Sequence, residues 1–419
     1  MRANRYLVLA LVLLFLAVTL LALPAVIASI RKAQAPALVR PVTSTTIVPT
    51  PTRQTHTPTP SAPTSTPTPT LSPSSTPLPS PTQVLPTGTK SPTPPARVLI
   101  EGMRHERQGW SNCGPTTLAM ARSYWGYQDW QFAIAPILKP DPEDKHVGIH
   151  QMADTARGLG LNAAGQVGGT IRGLQRLLAA GFPVVIESWY VRDALDQLGH
   201  YRLVIGYNDT TQRFDLYDSL YDPPTTMGYQ ELYELWRVFN WTYLVTAPAE
   251  RWQEATALAS LATPDVEPWG EALERATAEA GQQPDSCVAY ADCSDWVTFS
   301  WFTVGTNLTA LGRHTEAAEA YDKARANGLH YSVLWYQFGP YESYYETGRY
   351  DDIIELATAT LATAENLEES YLWRGGARLA DGDPDGARSD FATALAYHPA
   401  WQPARTALDA LDALTESDG

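Results

Sequence analysis

Cysteine is scarce in this chain, with three residues among 419. So few thiols exclude a multi-disulfide scaffold and a four-thiolate zinc site. Cys287 and Cys293, within SCVAYADC, form either a small disulfide loop in an oxidising compartment or two unpaired thiols. Cys113 is then the odd thiol. Because no histidine has partners at metal-ligand spacing, we expect no metal and no other cofactor.

Acidic side chains are absent from residues 1–100, which carry eight Lys or Arg. Residues 101–419 therefore hold 22 basic against 45 acidic residues, a net charge of −23. Nucleic acid phosphates require a basic surface, so this balance excludes a nucleic acid partner. It also argues against tight docking of the folded part on anionic lipid.

The segment from Tyr6 to Ile30 is an almost uninterrupted apolar run, preceded by two arginines. Its length suits a membrane span, so residues 1–35 are predicted to be a cytoplasmic tip and a transmembrane anchor. A cleaved signal peptide is the alternative, because Val26-Ile27-Ala28 and Ala33-Gln34-Ala35 offer small residues at cleavage positions. The two alternatives predict a single-pass membrane protein with an extracytoplasmic catalytic domain, or a secreted protein.

Residues 36–96 are rich in Pro, Thr and Ser and contain 17 of the 33 prolines of the chain. Such a composition lacks the large apolar side chains that a core requires. We therefore expect a disordered, extended linker that serves as an extracytoplasmic stalk. Recognition by proline-binding modules is an alternative role for the same residues.

Residues 97–250 show helical periodicity first and strand patterns afterwards, which predicts an α+β domain. Short runs rich in β-branched and aromatic residues, such as PVVIESW and HYRLVIGY, mark the strands. The predicted helices are 113–125, 149–159, 170–180 and 229–239, and the predicted strands are 183–189, 200–207, 213–217 and 241–246.

Cys113 stands at the start of the first predicted helix, followed by Gly and by Pro115, which suits a first turn. The positive end of the helix dipole stabilises a thiolate and lowers the pKa of the thiol. His200 begins a predicted strand and Asp218 ends the next, so antiparallel pairing brings them together. Gln108, five residues before the cysteine, is a candidate donor to an oxyanion.

At these residues the chain resembles cysteine peptidase family 39, the papain-like peptidases that remove double-glycine leaders. The shared features are Q-x-x-x-x-C-G-P at a helix start, then G-H-Y-x-x-V-x-G-Y-x-D, then a strand that ends in Asp. The resemblance implies that Cys113 is the nucleophile, His200 the general base and acid, Asp218 the orienting carboxylate and Gln108 an oxyanion-hole donor. Asp222, within YDPP, is a second candidate for the carboxylate.

The best-known family members are fused to an exporter, whereas this chain shows no transporter or nucleotide-binding motif. Double-glycine specificity is therefore not inferred, and the predicted substrate is a peptide or protein of unspecified sequence. Two alternatives use the same residues. One is a catalytically silent papain-like domain that only binds peptides. The other is an acyl transferase or amidase that forms the same thioester.

Residues 251–415 are helical in pattern, and their glycines reveal a repeat. Gly312, Gly348 and Gly382 lie 36 and 34 residues apart, which is the tetratricopeptide period. The middle copy diverges, because Pro340 and Tyr341 stand where a small residue is expected. We expect a helical repeat domain that binds a protein partner and leans on the peptidase domain or on helices within residues 252–280. The recurring positions are Gly305, Ala317, Tyr321 and Ala324 in the first copy and Gly375, Ala387, Phe391 and Ala394 in the third.

Seven aromatic residues crowd one short segment of the second repeat. Most are expected to belong to the repeat core, with some left for a surface. They are Tyr331, Trp335, Tyr336, Phe338, Tyr341, Tyr344 and Tyr345.

Overall fold

The computed structural model describes residues 94–193, 196–259, 268–290 and 293–417. The predicted anchor (residues 1–35) and nearly all of the predicted linker (residues 36–96) lie outside these ranges, so both remain predictions. Among the described helices, none has the length and apolar character that crossing a bilayer requires.

Residues 97–247 form a mixed α+β unit built on an antiparallel sheet. The strands are β1 (Arg97–Leu99), β2 (Asn162–Gln166), β3 (Val184–Val191), β4 (Gln197–Asn208), β5 (Arg213–Asp218), β6 (Thr225–Gly228) and β7 (Tyr243–Ala247). In the sheet they follow the order β2-β7-β3-β4-β5-β6, and β1 pairs with the end of β4. The helices are α1 (Cys113–Tyr124), α2 (Gln131–Leu138), α3 (Ile149–Gly158), α4 (Ile171–Ala179) and α5 (Tyr229–Trp236), with a short 3₁₀ turn at Arg237–Phe239.

Strand β4 carries the part of the sheet that positions the site. In its register, His200 lies opposite Ser188 of β3, and Arg202 lies opposite Asp218 of β5. Directly opposed residues share a face of the sheet, and residues two apart on one strand share it too. The pairing therefore puts His200, Arg202 and Asp218 on one face.

Helix α1 packs against β4 through its N-terminal turn. Thr117 Oγ1 donates a hydrogen bond of 3.2 Å to the carbonyl of Tyr201. A Cβ on Gly114 would lie 3.2 Å from Val147 and 3.5 Å from the Tyr201 ring, so this position requires a very small residue. The close approach brings the first helical residue, Cys113, next to the strand that holds His200.

The C-terminal part is a stack of antiparallel helix pairs. Gly312, Gly348 and Gly382 adopt left-handed φ angles of 72°, 73° and 91°, and each follows the first helix of a pair. This conformation favours glycine, so the period seen in the sequence corresponds to one turn per repeat. The helices are α6 (Trp252–Leu258), α7 (Pro268–Ala280), α8 (Ser294–Ala310), α9 (His314–Ala326), α10 (Gly339–Glu346), α11 (Tyr350–Leu361), α12 (Glu368–Asp381), α13 (Pro384–Tyr397) and α14 (Gln402–Ser417).

The middle pair departs from the other two. Its first helix, α10, has 8 residues, whereas α8 has 17 and α12 has 14. A 3₁₀ turn at Tyr331–Trp335 precedes it. The second repeat therefore begins with an aromatic segment, at the position where the first helices of the other two repeats have about two more turns.

The helical repeats pack directly on the α+β unit and share a buried core with it. Arg237, which is 1% exposed, donates to Ser300 Oγ at 2.8 Å and to Glu279 Oε2 at 2.9 Å. Its guanidinium carbon lies 3.7 Å from the centre of the Trp296 ring. A buried arginine with these partners fixes α8 against the end of α5.

Cys287 and Cys293 are joined by a disulfide. The loop that they close is bound to the α+β unit, because the backbone N–H groups of Val288 and Ala289 donate to Glu234 Oε2 at 2.9 and 2.7 Å. Of the two alternatives that the sequence left open, the structure contains the disulfide.

Candidate active site

Cys113 is the first residue of α1, and it is the free cysteine of the chain. The residue as a whole is partly exposed. The preceding turn includes Ser111, whose φ angle is +50°. The Nζ of buried Lys139 donates to the Ser111 carbonyl at 3.0 Å and to those of Pro142 and Asp144 at 2.7 and 3.1 Å. Lys139 therefore ties this turn to the loop that follows α2.

His200 and Asp218 form a buried pair. Nε2 of the imidazole lies 2.8 Å from Oδ1 of the carboxylate, and the two residues are 1% and 3% exposed. The other ring nitrogen, Nδ1, is buried and makes no hydrogen bond within the described part of the chain. This orientation leaves Nδ1 as the nitrogen available to the thiol of Cys113.

Asp218 is held from three sides. Arg202 Nε donates to its second oxygen, Oδ2, at 2.9 Å, and the Leu220 N–H donates to Oδ1 at 2.9 Å. Burial raises the pKa of Asp218, but His200 and Arg202 outweigh it and hold that pKa well below its usual value. The Asp218 carboxylate is therefore already ionised at every pH at which His200 gains or loses its proton.

The alternative carboxylate, Asp222, lies elsewhere. It is highly exposed and forms an ion pair of 3.3 Å with Arg107. In this structure the carboxylate that contacts the histidine is Asp218.

The thiol and the imidazole shift each other toward an ion pair. Burial is the largest influence on Cys113 and raises its pKa, but the His200 imidazole and the backbone of Tyr201 and Gly114 reverse this, so the thiol pKa is lowered from 9.0. Burial also opposes protonation of His200, yet Asp218 and Cys113 raise the imidazole pKa above 6.5. Both shifts favour a thiolate beside an imidazolium.

Gln108 is anchored beside the end of β5. Its Oε1 accepts a hydrogen bond of 2.7 Å from Ser219 Oγ, and its backbone N–H donates to the Ser219 carbonyl at 3.1 Å. Since Oε1 is the accepting atom, the hydrogens of Nε2 are not used in this contact. The Gln108 side chain is thus held by Ser219, the residue that follows Asp218.

A second glutamine, Gln131 of α2, fixes the loop between Gln108 and Cys113. Its Oε1 accepts from the Gly109 N–H at 2.6 Å and from Asn112 Nδ2 at 3.1 Å. Its Nε2 donates to Glu106 Oε1 at 2.8 Å and to the Arg107 carbonyl at 2.7 Å. One buried amide therefore holds the backbone on both sides of Gln108.

Three of these supporting residues escaped the sequence reasoning. Arg202 follows His200 by two positions on a strand, so period-two alternation alone would have placed it on the same face. Gln131 and Lys139 carried no comparable signal, because their hydrogen-bond partners are groups that only the fold brings near. No set of three or more His, Cys, Asp or Glu side chains in the described ranges is arranged to hold a metal ion.

Two solved structures are similar to part of the chain. The first TPR of Spaghetti (RPAP3) bound to HSP90 peptide SRMEEVD is 18% identical, covers 28% of this chain and 93% of its own, and has a TM-score of 0.26. The second TPR domain of the human RPAP3 protein in complex with HSP70 peptide SGPTIEEVD is 22% identical, covers 26% and 88%, and has a TM-score of 0.24. Likeness at this level carries no conclusion about the chain.

No curated protein matches the sequence significantly. Residues 100–246 match the model of the Peptidase_C39 like family. This range includes the thiol, the imidazole and the carboxylate described above. The match supports a Peptidase_C39-like domain over residues 100–246.

Proposed function

We propose that the α+β unit is a cysteine peptidase in which Cys113 is the nucleophile, His200 the general base and acid, and Asp218 the orienting carboxylate. One observation carries the proposal. His200 bonds Asp218 through Nε2 at 2.8 Å and so leaves Nδ1 for a thiol held at a helix N-terminus. The family match supports the same reaction class.

The reaction follows from the ion pair. The Cys113 thiolate attacks the carbonyl carbon of a peptide bond, forming a C–S bond and an oxyanion. The His200 imidazolium gives its proton to the amine nitrogen as the C–N bond breaks, which leaves a thioester. His200 then takes a proton from water, the hydroxide attacks the thioester, and the thiolate and a carboxylic acid are released. Asp218 stabilises each imidazolium without accepting its proton.

Two donors suit the oxyanion. The backbone N–H of Cys113 has no acceptor inside its own helix, because the first N–H groups of a helix are unpaired there. Gln108 contributes its Nε2 hydrogens from a loop fixed by Ser219 and Gln131. A preorganised donor of this kind contributes about 3 kcal/mol to transition-state stabilisation.

The proposed peptidase is extracytoplasmic and has a protein partner. The disulfide between Cys287 and Cys293 supports an oxidising compartment, in agreement with a membrane-anchored or secreted protein whose folded part is extracytoplasmic. The helical repeats would then present a protein partner or substrate to the peptidase. The acidic charge of residues 101–419 favours neutral or basic partners.

Alkylation of Cys113 tests the nucleophile without a known substrate. Because the other two cysteines are joined in a disulfide, iodoacetamide added to the unreduced full chain reports on Cys113. We expect alkylation below pH 7 to be much faster than that of a free peptide thiol. His200→Ala should slow it by about tenfold for each unit by which the thiol pKa rises. Labelling no faster than a peptide thiol would instead favour the silent, peptide-binding alternative.

Hydrolysis itself is tested by comparing the proteins that cells release when they carry wild-type chain or Cys113→Ala. Peptides that depend on Cys113 identify the substrate, and free carboxyl termini at the cut separate hydrolysis from transfer to an amine. An unchanged set of released proteins, from cells that contain a folded wild-type chain, would contradict peptidase activity.

A further inference from the structure

The chain between Gln108 and Cys113 makes a tight turn over residues 109–112, in which the Asn112 N–H donates to the Gly109 carbonyl at 3.3 Å. Ser111, the third residue of this turn, has a φ angle of +50°. A positive φ at the third position of a turn favours glycine and is strained for a residue with a side chain. The turn therefore needs contacts from outside it to keep this shape.

Two side chains of the α+β unit supply such contacts. Gln131 holds the ends of the turn, since its Oε1 accepts from the Gly109 N–H at 2.6 Å and from Asn112 Nδ2 at 3.1 Å. Neither of these bonds involves Ser111, the strained residue. Its carbonyl oxygen instead accepts a hydrogen bond of 3.0 Å from Lys139 Nζ. Lys139 thus holds the part of the turn that Gln131 does not.

Lys139 is a buried cation whose partners are backbone carbonyls. The residue is 3% exposed, and Nζ also donates to the carbonyls of Pro142 and Asp144 at 2.7 and 3.1 Å. An ammonium group has three N–H donors, so these two carbonyls and that of Ser111 satisfy it. Burial of an unpaired cation is very unfavourable. The need to keep all three partners makes the loop after α2 a fixed support for the Ser111 carbonyl.

The turn held in this way joins the two donors proposed for the oxyanion. The Ser111 carbonyl belongs to the peptide unit that leads into Asn112, the N-cap of α1. The next peptide unit carries the N–H of Cys113, the first donor. Gln108, the second donor, stands at the opposite end of the turn. The shape of the turn therefore sets the position of one donor relative to the other, and such donors contribute only when they are correctly placed.

We propose that Lys139 is a positioning residue for the oxyanion hole. By holding the Ser111 carbonyl, it keeps the turn in the shape that places the Cys113 N–H and the Gln108 side chain around one oxygen atom. Lys139 acts through Ser111 and does not contact the substrate. The inference rests on the proposed peptidase function, because it assigns a role in the step that forms the oxyanion. Loss of Lys139 should weaken reactions of Cys113 that form an oxyanion more than those that do not.

Two reagents that react with the same sulfur separate these reactions in the unreduced full chain. With 4-nitrophenyl acetate, the Cys113 thiolate forms a C–S bond to the carbonyl carbon through an oxyanion, and the C–O bond then breaks to release 4-nitrophenolate. Iodoacetamide loses iodide to the thiolate without forming an oxyanion. We expect Lys139→Met to lower the ratio of the acylation rate to the alkylation rate by about tenfold or more.

Two controls accompany these rates. Nitrophenolate release by Cys113→Ala is subtracted, because other nucleophiles also react with the ester. Lys323→Met removes an exposed lysine of the repeat domain and should leave the ratio unchanged.

Ser111→Gly tests whether Lys139 acts through the turn. Glycine adopts a left-handed φ angle readily, so Ser111→Gly should restore most of the ratio when it is combined with Lys139→Met. A lysine that only supports packing would give no such rescue. An unchanged ratio in Lys139→Met would overturn the positioning role, and so would a lowered ratio that Ser111→Gly fails to raise.

A second variant covers the case in which Lys139→Met does not fold. Ser111→Val strains the turn while Lys139 stays in place, because a β-branched residue disfavours a positive φ angle. It should lower the same ratio, and an unchanged ratio would again overturn the proposal. Slow alkylation of wild-type Cys113 would contradict the proposed nucleophile. Fast alkylation with an unchanged ratio in the variants would contradict only the role of Lys139.

Discussion

Asn240 and Asn307 exchange two hydrogen bonds of 2.9 Å, each side-chain amide donating to the other's carbonyl oxygen. Asn240 follows the 3₁₀ turn after α5, Asn307 lies on α8, and both are at most 2% exposed. A reciprocal amide pair satisfies polar groups that burial would otherwise leave unpaired. The α+β unit and the first repeat are therefore joined by a specific contact as well as by apolar packing.

Removal of one amide should destabilise the whole folded part. Asn307→Ala leaves the Asn240 amide buried without its partner, which costs about 1–3 kcal/mol. Asn240→Ala should cost more, because its φ angle of 52° is left-handed and disfavours alanine. Chemical denaturation of each variant measures the loss. Asn327→Ala, at an exposed position, is the control, and an equally small effect at all three sites would refute the structural role of the pair.

Asp218 and Asp222 should differ sharply on substitution. Asp218→Asn removes the negative charge that orients and stabilises protonated His200, so kcat should fall by about 100-fold or more. It also leaves Arg202 buried without its carboxylate, which costs about 3–5 kcal/mol of stability. Asp222→Asn breaks an exposed ion pair and should leave kcat unchanged. Equal losses in kcat for the two variants, measured on folded protein, would contradict the proposed role of Asp218.

The pH dependence of kcat/KM should be bell-shaped. The lowered pKa of Cys113 supplies the thiolate once the pH exceeds that value, which gives the acidic limb. The raised pKa of His200 keeps the imidazole protonated until the pH exceeds it, which gives the alkaline limb. Arg202→Met should move the alkaline limb, because it changes the electrostatic field at Asp218 and thereby the pKa of His200. A profile that only rises with pH would contradict an ion pair.

Glu187 on β3 should make folding less favourable as the pH rises. Burial raises the pKa of this carboxyl to about 8, with a further contribution from ionised Cys113. In the folded chain Glu187 keeps its proton up to about pH 8, whereas in the unfolded chain it loses the proton above its usual pKa of 4.5. The contribution of Glu187 to stability is therefore complete below pH 4.5 and decreases from there up to about pH 8. The loss is about 1.4 kcal/mol per unit of pH. Glu187→Gln should flatten the dependence measured by denaturation at several pH values.

Gly305 and Gly375, which face aromatic rings inside the repeats, should not tolerate a methyl group. A Cβ on Gly305 would lie 2.6 Å from the Tyr321 ring, and one on Gly375 would lie 2.6 Å from Phe391. Gly305→Ala should therefore lower the melting temperature, at a cost of about 1–3 kcal/mol. Gly270 in α7 has open space around it, so Gly270→Ala should stabilise the helix by up to about 1 kcal/mol. The opposite signs of these two changes distinguish packing from helix propensity.

Much of the site was predictable because it depends on local patterns. The helix predicted at 113–125 is Cys113–Tyr124, and the strand predicted at 200–207 is the central part of Gln197–Asn208. Consecutive strands pair as neighbours, so the meeting of His200 and Asp218 follows from chain order. Strand β2, with sequence NAAGQ, and helix α2, which contains Pro136, were not predicted. Their residues have weak intrinsic preference, and pairing with β7 and packing on α1 impose their structure.

The amino-acid sequence by itself determined the candidate side chains for the proposed chemistry and the order in which strands and repeats follow, because periodicity and glycine turns are local properties. Only the tertiary structure decided that Asp218 and not Asp222 contacts His200. It also decided that Gln131 and Lys139 hold the loop before Cys113. These contacts join residues far apart in the chain, and they depend on the packing of whole elements, which no short stretch of sequence encodes.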